Sequence, residues 1–322
     1  MLELDSLDRK LLAHLDCEAA LTFSELARRV RVGNDIVAYR FERLVSSGIL
    51  RKCSVIVDPE ILGTSIVKSY LRLSNKGAGR SKLIEHVSKS RETCWMAEVF
   101  GGWDLILSVY ASSPREYEAK FRGLLGRHIS SVLEVRVFHL TEQWKDSRQF
   151  GRKEPRKTVY FGRDRAEIKL DRIEVEILRE LSNDSRQSYV EIAKKLSTTP
   201  QVVKYRIQQL EASNVIAGYV LNLDISKLGL IRFKTAVHIK NWEINEEKRL
   251  IAFLRKQSEI TTVIRQIGPW QLEFDAETDS IKSFGELLSR VREEFPDYVE
   301  YLEHVVYQDD FSFRIPQLLP SR

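Results

Sequence analysis

IVAYRFERL, at residues 36–44, returns as VVKYRIQQL at residues 202–210, 166 positions later. In each, apolar residues three and four apart (Val37, Phe41 and Leu44; Val203, Ile207 and Leu210) point one helical face into a core. Working outward, the same offset aligns LDSLDRKLLAHL (4–15) with LDRIEVEILREL (170–181), and TFSELARRV (22–30) with SYVEIAKKL (188–196). It also aligns SSGILRKCSVIVDPEILG (46–63) with ASNVIAGYVLNLDISKLG (212–229), without a gap. Further on the register slips slightly: GGWDLIL (101–107) faces GPWQLEF (268–274), and VLEVRVF (132–138) faces YLEHVVY (301–307). The chain is two large copies of one plan, not a solenoid of short repeats.

Each copy has two parts. The first predicts three short helices followed by a strand or wing, broken at CEAAL, at RVG and at SSG. In the second copy Thr199 caps the third helix and Pro200 takes its first position. The second part alternates differently. SIVKSYLRL (65–73) predicts a strand, RSKLIEHVSKS (80–90) a helix, and TCWMAEVF with WDLILSVY a hairpin across Gly101-Gly102. PREYEAKFRGLLGRH predicts a helix and VLEVRVFHL the last strand. The order is βαββαβ, a ferredoxin-like plait. The expected class is α+β, with a winged helix-turn-helix and a plait, both present twice. The expected boundaries are 1–53 and 170–219 for the helical modules, 54–144 and 220–322 for the plaits, and 145–169 for a connector.

The composition, at 43% hydrophobic and 30% charged, is that of a globular protein. No run of 18 apolar residues suits a membrane span, and the polar, acidic start MLELDSLDRK is unlike a signal peptide. Three scattered cysteines (Cys17, Cys53, Cys94) fit a reducing, cytoplasmic setting without disulfides or a zinc ribbon. The net charge is only +5, but it is uneven. Residues 145–169 hold nine Lys or Arg against four acids, and residues 271–310 three against twelve. Such a distribution suits a protein that presents one side to a polyanion.

Two helices joined by a tight turn, the second exposing basic and polar groups, make a helix-turn-helix that reads double-stranded DNA. On the first reading helix the candidates are Asn34, Ala38, Tyr39, Arg40 and Arg43; on the second, Gln201, Lys204, Tyr205, Arg206 and Gln208. Arg and Lys meet phosphates or guanine, and Asn and Gln pair with adenine. Asp35 is out of place beside DNA, but in a first helical turn it favours the dipole.

LDxxDxxLLxxL, the helix-turn-helix, YRxxxL, SGIL, and an LG before the plait together resemble the Lrp/AsnC regulators over nearly the whole chain, as two fused members. The resemblance implies DNA binding by the helical modules. It also implies pairing and effector sensing by the plaits, with an amino acid as the expected effector. It places the effector near GGWD (Gly101, Gly102, Trp103, Asp104), where Asp104 would receive an ammonium group. The second copy has GPWQ, keeping Gly268 and Trp270 but not the acid. A homo-oligomer is expected, with the plaits paired either within one chain or between two.

The same plan also resembles the sirohaem decarboxylases, tetrapyrrole enzymes that use an HNYxR-type segment. None of the six histidines here begins such a run, and no HExxH, GxSxG, P-loop or GxGxxG signal occurs. The sequence therefore points to no catalytic residue, metal or cofactor.

Overall fold

The computed structural model describes residues 4–74, 79–151, 155–162 and 167–311. The first copy runs α1 (Ser6–Leu15), α2 (Phe23–Val30), α3 (Asn34–Ser46), β1 (Leu50–Val57), β2 (Ser65–Leu73), α4 (Gly79–Lys89), β3 (Trp95–Gly101), β4 (Leu105–Ala111), α5 (Pro114–Leu125) and β5 (Val132–Asp146). A short strand, β6 (Thr158–Phe161), lies in the connector. The second copy runs α6 (Arg172–Asn183), α7 (Tyr189–Lys195), α8 (Pro200–Ala212), β7 (Ile216–Leu223), β8 (Ile231–Ile239), α9 (Ile244–Lys256), β9 (Ile260–Ile267), β10 (Leu272–Thr278), α10 (Ile281–Glu294) and β11 (Val299–Phe311).

Side chains near in sequence fix the helix starts. Asp5 with Asp8, Thr22 with Glu25, Asp171 with Glu174, and Ser188 with Glu191 form reciprocal capping boxes. Thr199 accepts from the Val202 amide and Pro200 follows it, as expected.

The chain gathers by kind of module, not by copy. One compact unit holds Met1–Asp58, Trp144–Phe161 and Lys169–Leu230; the other holds Pro59–Gln143, Gly162–Ile168 and Ile231–Arg322. In the first unit both helix-turn-helix modules meet through an antiparallel ribbon of β1 and β7. Ser54 pairs with Val220, its own counterpart at the offset of 166, so the register is self-complementary about that point. Leu221 and Leu223 of β7 thereby enter the same core as Leu11, Leu26, Val37 and Leu44. Part of the connector folds here too. Val159 of β6 is buried against Val220 and Cys17, and buried Arg148 donates to buried Asp16 at 3.1 Å.

In the second unit the plaits join edge to edge. The order β2-β4-β3-β11-β8-β10-β9-β5, with β5 returning to β2, is a closed eight-stranded ring. β3 pairs with β11 of the other copy (Val99 with Tyr307, Gly101 with Val305). Closure leaves those eight strands no open edge. Residues alternate between two faces. Val67, Leu71, Leu105 and Leu107 meet Leu83, Val87 and Leu124 of the helices, whereas Tyr70, Ala97, Val99 and Ile106 pack inward with Trp103, Phe138 and Trp270. The sequence left open whether the plaits pair within a chain or between chains; here they pair within one.

The interior also holds charge. Lys68 pairs with Glu273, and Lys234 lies 3.0 Å from Glu273 and 2.7 Å from Asp275. Glu273 further accepts from Tyr70 at 2.7 Å, Gln266 at 3.2 Å and Trp270 at 3.3 Å. Burial pushes the Lys68 ammonium down to about 8, against the pull of Glu273. Lys68 and Lys234 are counterparts at the offset of 166, but the acids are not repeated. Aligning GGWDLILS on GPWQLEFD puts Ile106 and Ser108 where the second copy has Glu273 and Asp275.

Candidate nucleic-acid interface

The helix-turn-helix geometry is present twice in the first unit. Residues 31–33 join α2 to α3, with Arg31 in the left-handed region, and residues 196–199 join α7 to α8. Both reading helices are anchored by the expected apolar stripe: Val37 and Leu44 on α3, and Val203, Ile207 and Leu210 on α8, are buried.

The outward faces match the sequence reading in part. Asn34, Tyr39, Gln201, Lys204, Tyr205 and Gln208 are exposed, the two tyrosines at 66% and 58%. Ala38 is half-buried.

The arginines are placed otherwise. Arg40 donates to Asp5 at 2.6 Å and reaches Asp8 at 3.4 Å, and Arg43 pairs with the fully buried Asp8. In the second copy Arg206 pairs with Asp171 at 2.8 Å and Glu174 at 3.1 Å. Each Tyr-Arg arginine thus turns back onto the capping box that opens the first helix of its module and clamps the reading helix to it. The Arg40→Ala and Arg206→Ala variants should therefore each lower stability, by about 1 kcal/mol for a partly exposed ion pair. A thermal melt reads this as a drop of roughly 2–4 °C. Unchanged melting would mean that neither arginine holds its reading helix to the first helix of its module.

Three further groups were not picked out in the sequence. Arg28 and Arg31 beside α3, and Lys194 beside α8, are exposed basic side chains of the kind that contact DNA phosphates. Their signal was only general basicity. Arg186 donates to the Ala19 and Leu21 carbonyls and lies 4.7 Å over the rings of Phe23 and Phe41. It ties the second module to the first.

The connector was expected to offer free positive charge. Instead Arg148 is buried, Arg156 donates to the Ser147 carbonyl at 2.8 Å, and Lys157 lies 3.7 Å from Glu18. Arg152 and Lys153 lie outside the described residues.

The hairpin residues are likewise engaged within the fold. Asp104 accepts from the Leu73 amide at 2.7 Å and pairs with Arg80, so each of its oxygens already has a partner within the fold. Trp103 is buried and donates to Glu303 at 3.0 Å. Trp270 is buried 4.3 Å from the Phe138 ring. Gly101 has φ +134°, and a Cβ at Gly268 would run into Phe138. Gly102 opens no pocket: a Cβ there would meet Glu303. The cavity between Trp103 and Trp270 is about 10 Å³, the size of a single water.

Comparison with known proteins follows the same division. The winged helix-turn-helix DNA-binding family matches residues 4–51 and 170–217. An uncharacterised HTH-type transcriptional regulator of Pyrococcus furiosus is 33% identical over 129 residues, 82% of that protein and 39% of this chain. The HTH-type transcriptional regulator LrpC of Bacillus subtilis is 29% identical over 143 residues, 94% of that protein and 44% of this chain. Among solved structures, the siroheme decarboxylase NirDL is similar over 96% of this chain and 93% of its own, with a TM-score of 0.65 and 12% identity. At that identity the likeness is one of fold. No helix among the described residues is long and apolar enough to cross a membrane. The chain belongs to the Lrp/AsnC family of HTH-type transcriptional regulators, and it carries two units of that family in tandem.

Proposed function

We propose that this chain is a sequence-specific, DNA-binding transcriptional regulator in which one polypeptide does the work of a dimer, and that it is not an enzyme. The observation that carries this is the self-complementary β1–β7 ribbon, which gathers both reading helices into one compact unit. A pair of reading helices related by an approximate two-fold axis suits two half-sites of imperfect symmetry.

The test is a titration of fluorescent duplexes by the full chain. A duplex selected from a random pool should bind at least 10³-fold more tightly than unselected duplex, roughly the lower bound for specific recognition. Affinity should fall as salt rises, with a log–log slope of about −0.9 per phosphate contact. Equal affinity for all duplexes would reduce the activity to non-specific binding.

Modulation by a small ligand such as an amino acid belongs to this reading; the contacts of Asp104 with Arg80 and the Leu73 amide support a structural role for that carboxylate over the amine-receptor role. Calorimetric titration of an amino-acid panel with Asp104→Asn should leave any ligand affinity of the parent in place. The whole-chain likeness to a siroheme decarboxylase supports a second reading, as a tetrapyrrole-binding protein. A Soret band after addition of an iron tetrapyrrole would favour it.

A further inference from the structure

We infer that the two reading heads are unequal: α8 supplies most of the sequence-specific contact, and α3 is a weak head whose acids work against the duplex. This rests on the DNA-binding reading and deepens it. Once Arg40 and Arg43 are turned onto Asp5 and Asp8, the outward face of α3 carries Asn34, Asp35, Ile36, Tyr39, Glu42 and Val45. Asp35 and Glu42 are exposed and have no ion-pair partner among the described residues. Ile36 and Val45 are each nearly half exposed. The face thus holds two carboxylates and no unclamped cation.

The counterparts on α8 differ at each of the informative positions. Gln201 stands at the place of Asp35, Lys204 at Ala38, Gln208 at Glu42 and Gln209 at Arg43. All four are exposed, and Lys204 forms no ion pair among the described residues. The amides suit the adenine edge, and Lys204 suits a phosphate or guanine. The acids of α3 face instead a polyanion with one charge per ~1.7 Å of axis, which repels them. What the α3 head retains is phosphate contact from Arg28 and Arg31, which positions the protein without reading sequence.

The experiment uses the full chain and the duplex that it selects from a random pool. Lys204→Ala combined with Gln208→Ala should weaken binding roughly ten- to hundredfold, as expected for a lost base-reading pair. Asp35→Asn combined with Glu42→Gln should tighten binding severalfold. The selected sequences should show one strongly constrained half-site beside one loosely constrained half-site. Because these residues are exposed, melting temperatures should stay within a few degrees of the parent's, the loss of Asp35 from the first helical turn included, separating loss of contact from loss of fold. The inference is overturned if the acid-removing pair weakens binding and relaxes a C·G preference at one half-site, since Asp35 would then be a cytosine reader. Equal constraint in both half-sites would also overturn it. If the unmodified chain selects no duplex at all, the DNA-binding reading itself falls, and this inference with it.

Discussion

Glu273→Gln should lower the free energy of unfolding of the barrel unit by about 3–5 kcal/mol, the usual cost of removing one partner from a buried ion pair. Glu273 is fully buried and receives two ammonium groups, a phenol, an indole and an amide. Without its charge Lys68 keeps no carboxylate of its own, while Lys234 retains Asp275. Adding Lys68→Met should therefore recover much of the loss, because the stranded charge goes with it.

The same group sets an acid limit. Burial alone would raise the Glu273 carboxyl, but Lys234 and Lys68 outweigh it and hold it below the ordinary range; Lys234 and Arg232 do the same for Asp275. A carboxylate depressed in the folded state stabilises above its unfolded value, ~4.3 for Glu and ~3.9 for Asp. That contribution is lost as pH falls through the folded value. Chemical denaturation from pH 7 to pH 3 should show it, with a flatter profile for Glu273→Gln. Identical profiles would mean that the interior charges contribute nothing to the fold.

The second large effect is expected for Trp270→Ala, at about 3–5 kcal/mol for deletion of a buried aromatic side chain. Its ring lies 4.3 Å from that of Phe138 and 5.0 Å from that of Tyr70, and its indole donates to Glu273. The change opens a void and removes one hydrogen bond from a carboxylate. Denaturant titration measures it. A variant as stable as the parent, but deaf to an effector, would make Trp270 a ligand-contacting residue as the GPWQ turn first suggested.

What was legible from residues alone was whatever repeats or acts locally. The offset of 166, the capping residue Thr199, the three-helix frame and the βαββαβ order all depend on neighbours within a turn or a strand. The direction of Arg40 did not show, because Asp5 and Asp8 lie more than thirty residues away and only packing of α1 against α3 brings them near. Lys68 and Lys234 did leave a trace: each interrupts an apolar strand at the same place in its copy. Their meaning depended on Glu273, a residue with no acidic counterpart in the first copy. Asp104 was legible only in part, for the opposite reason. A carboxylate beside two glycines looks available to a ligand, and nothing nearby in sequence announces Arg80 as its partner.

The ribbon centred on Ser54 and Val220 has a consequence for dosage. When two separate chains must meet before binding, dilution splits the pair, and operator occupancy falls faster than protein number. Here the two halves are held by one backbone, so their effective concentration is set by the connector and not by expression. On the proposed reading, in which one chain supplies both heads, occupancy follows the number of chains to the first power, and the two heads of a chain are not lost to each other by dissociation.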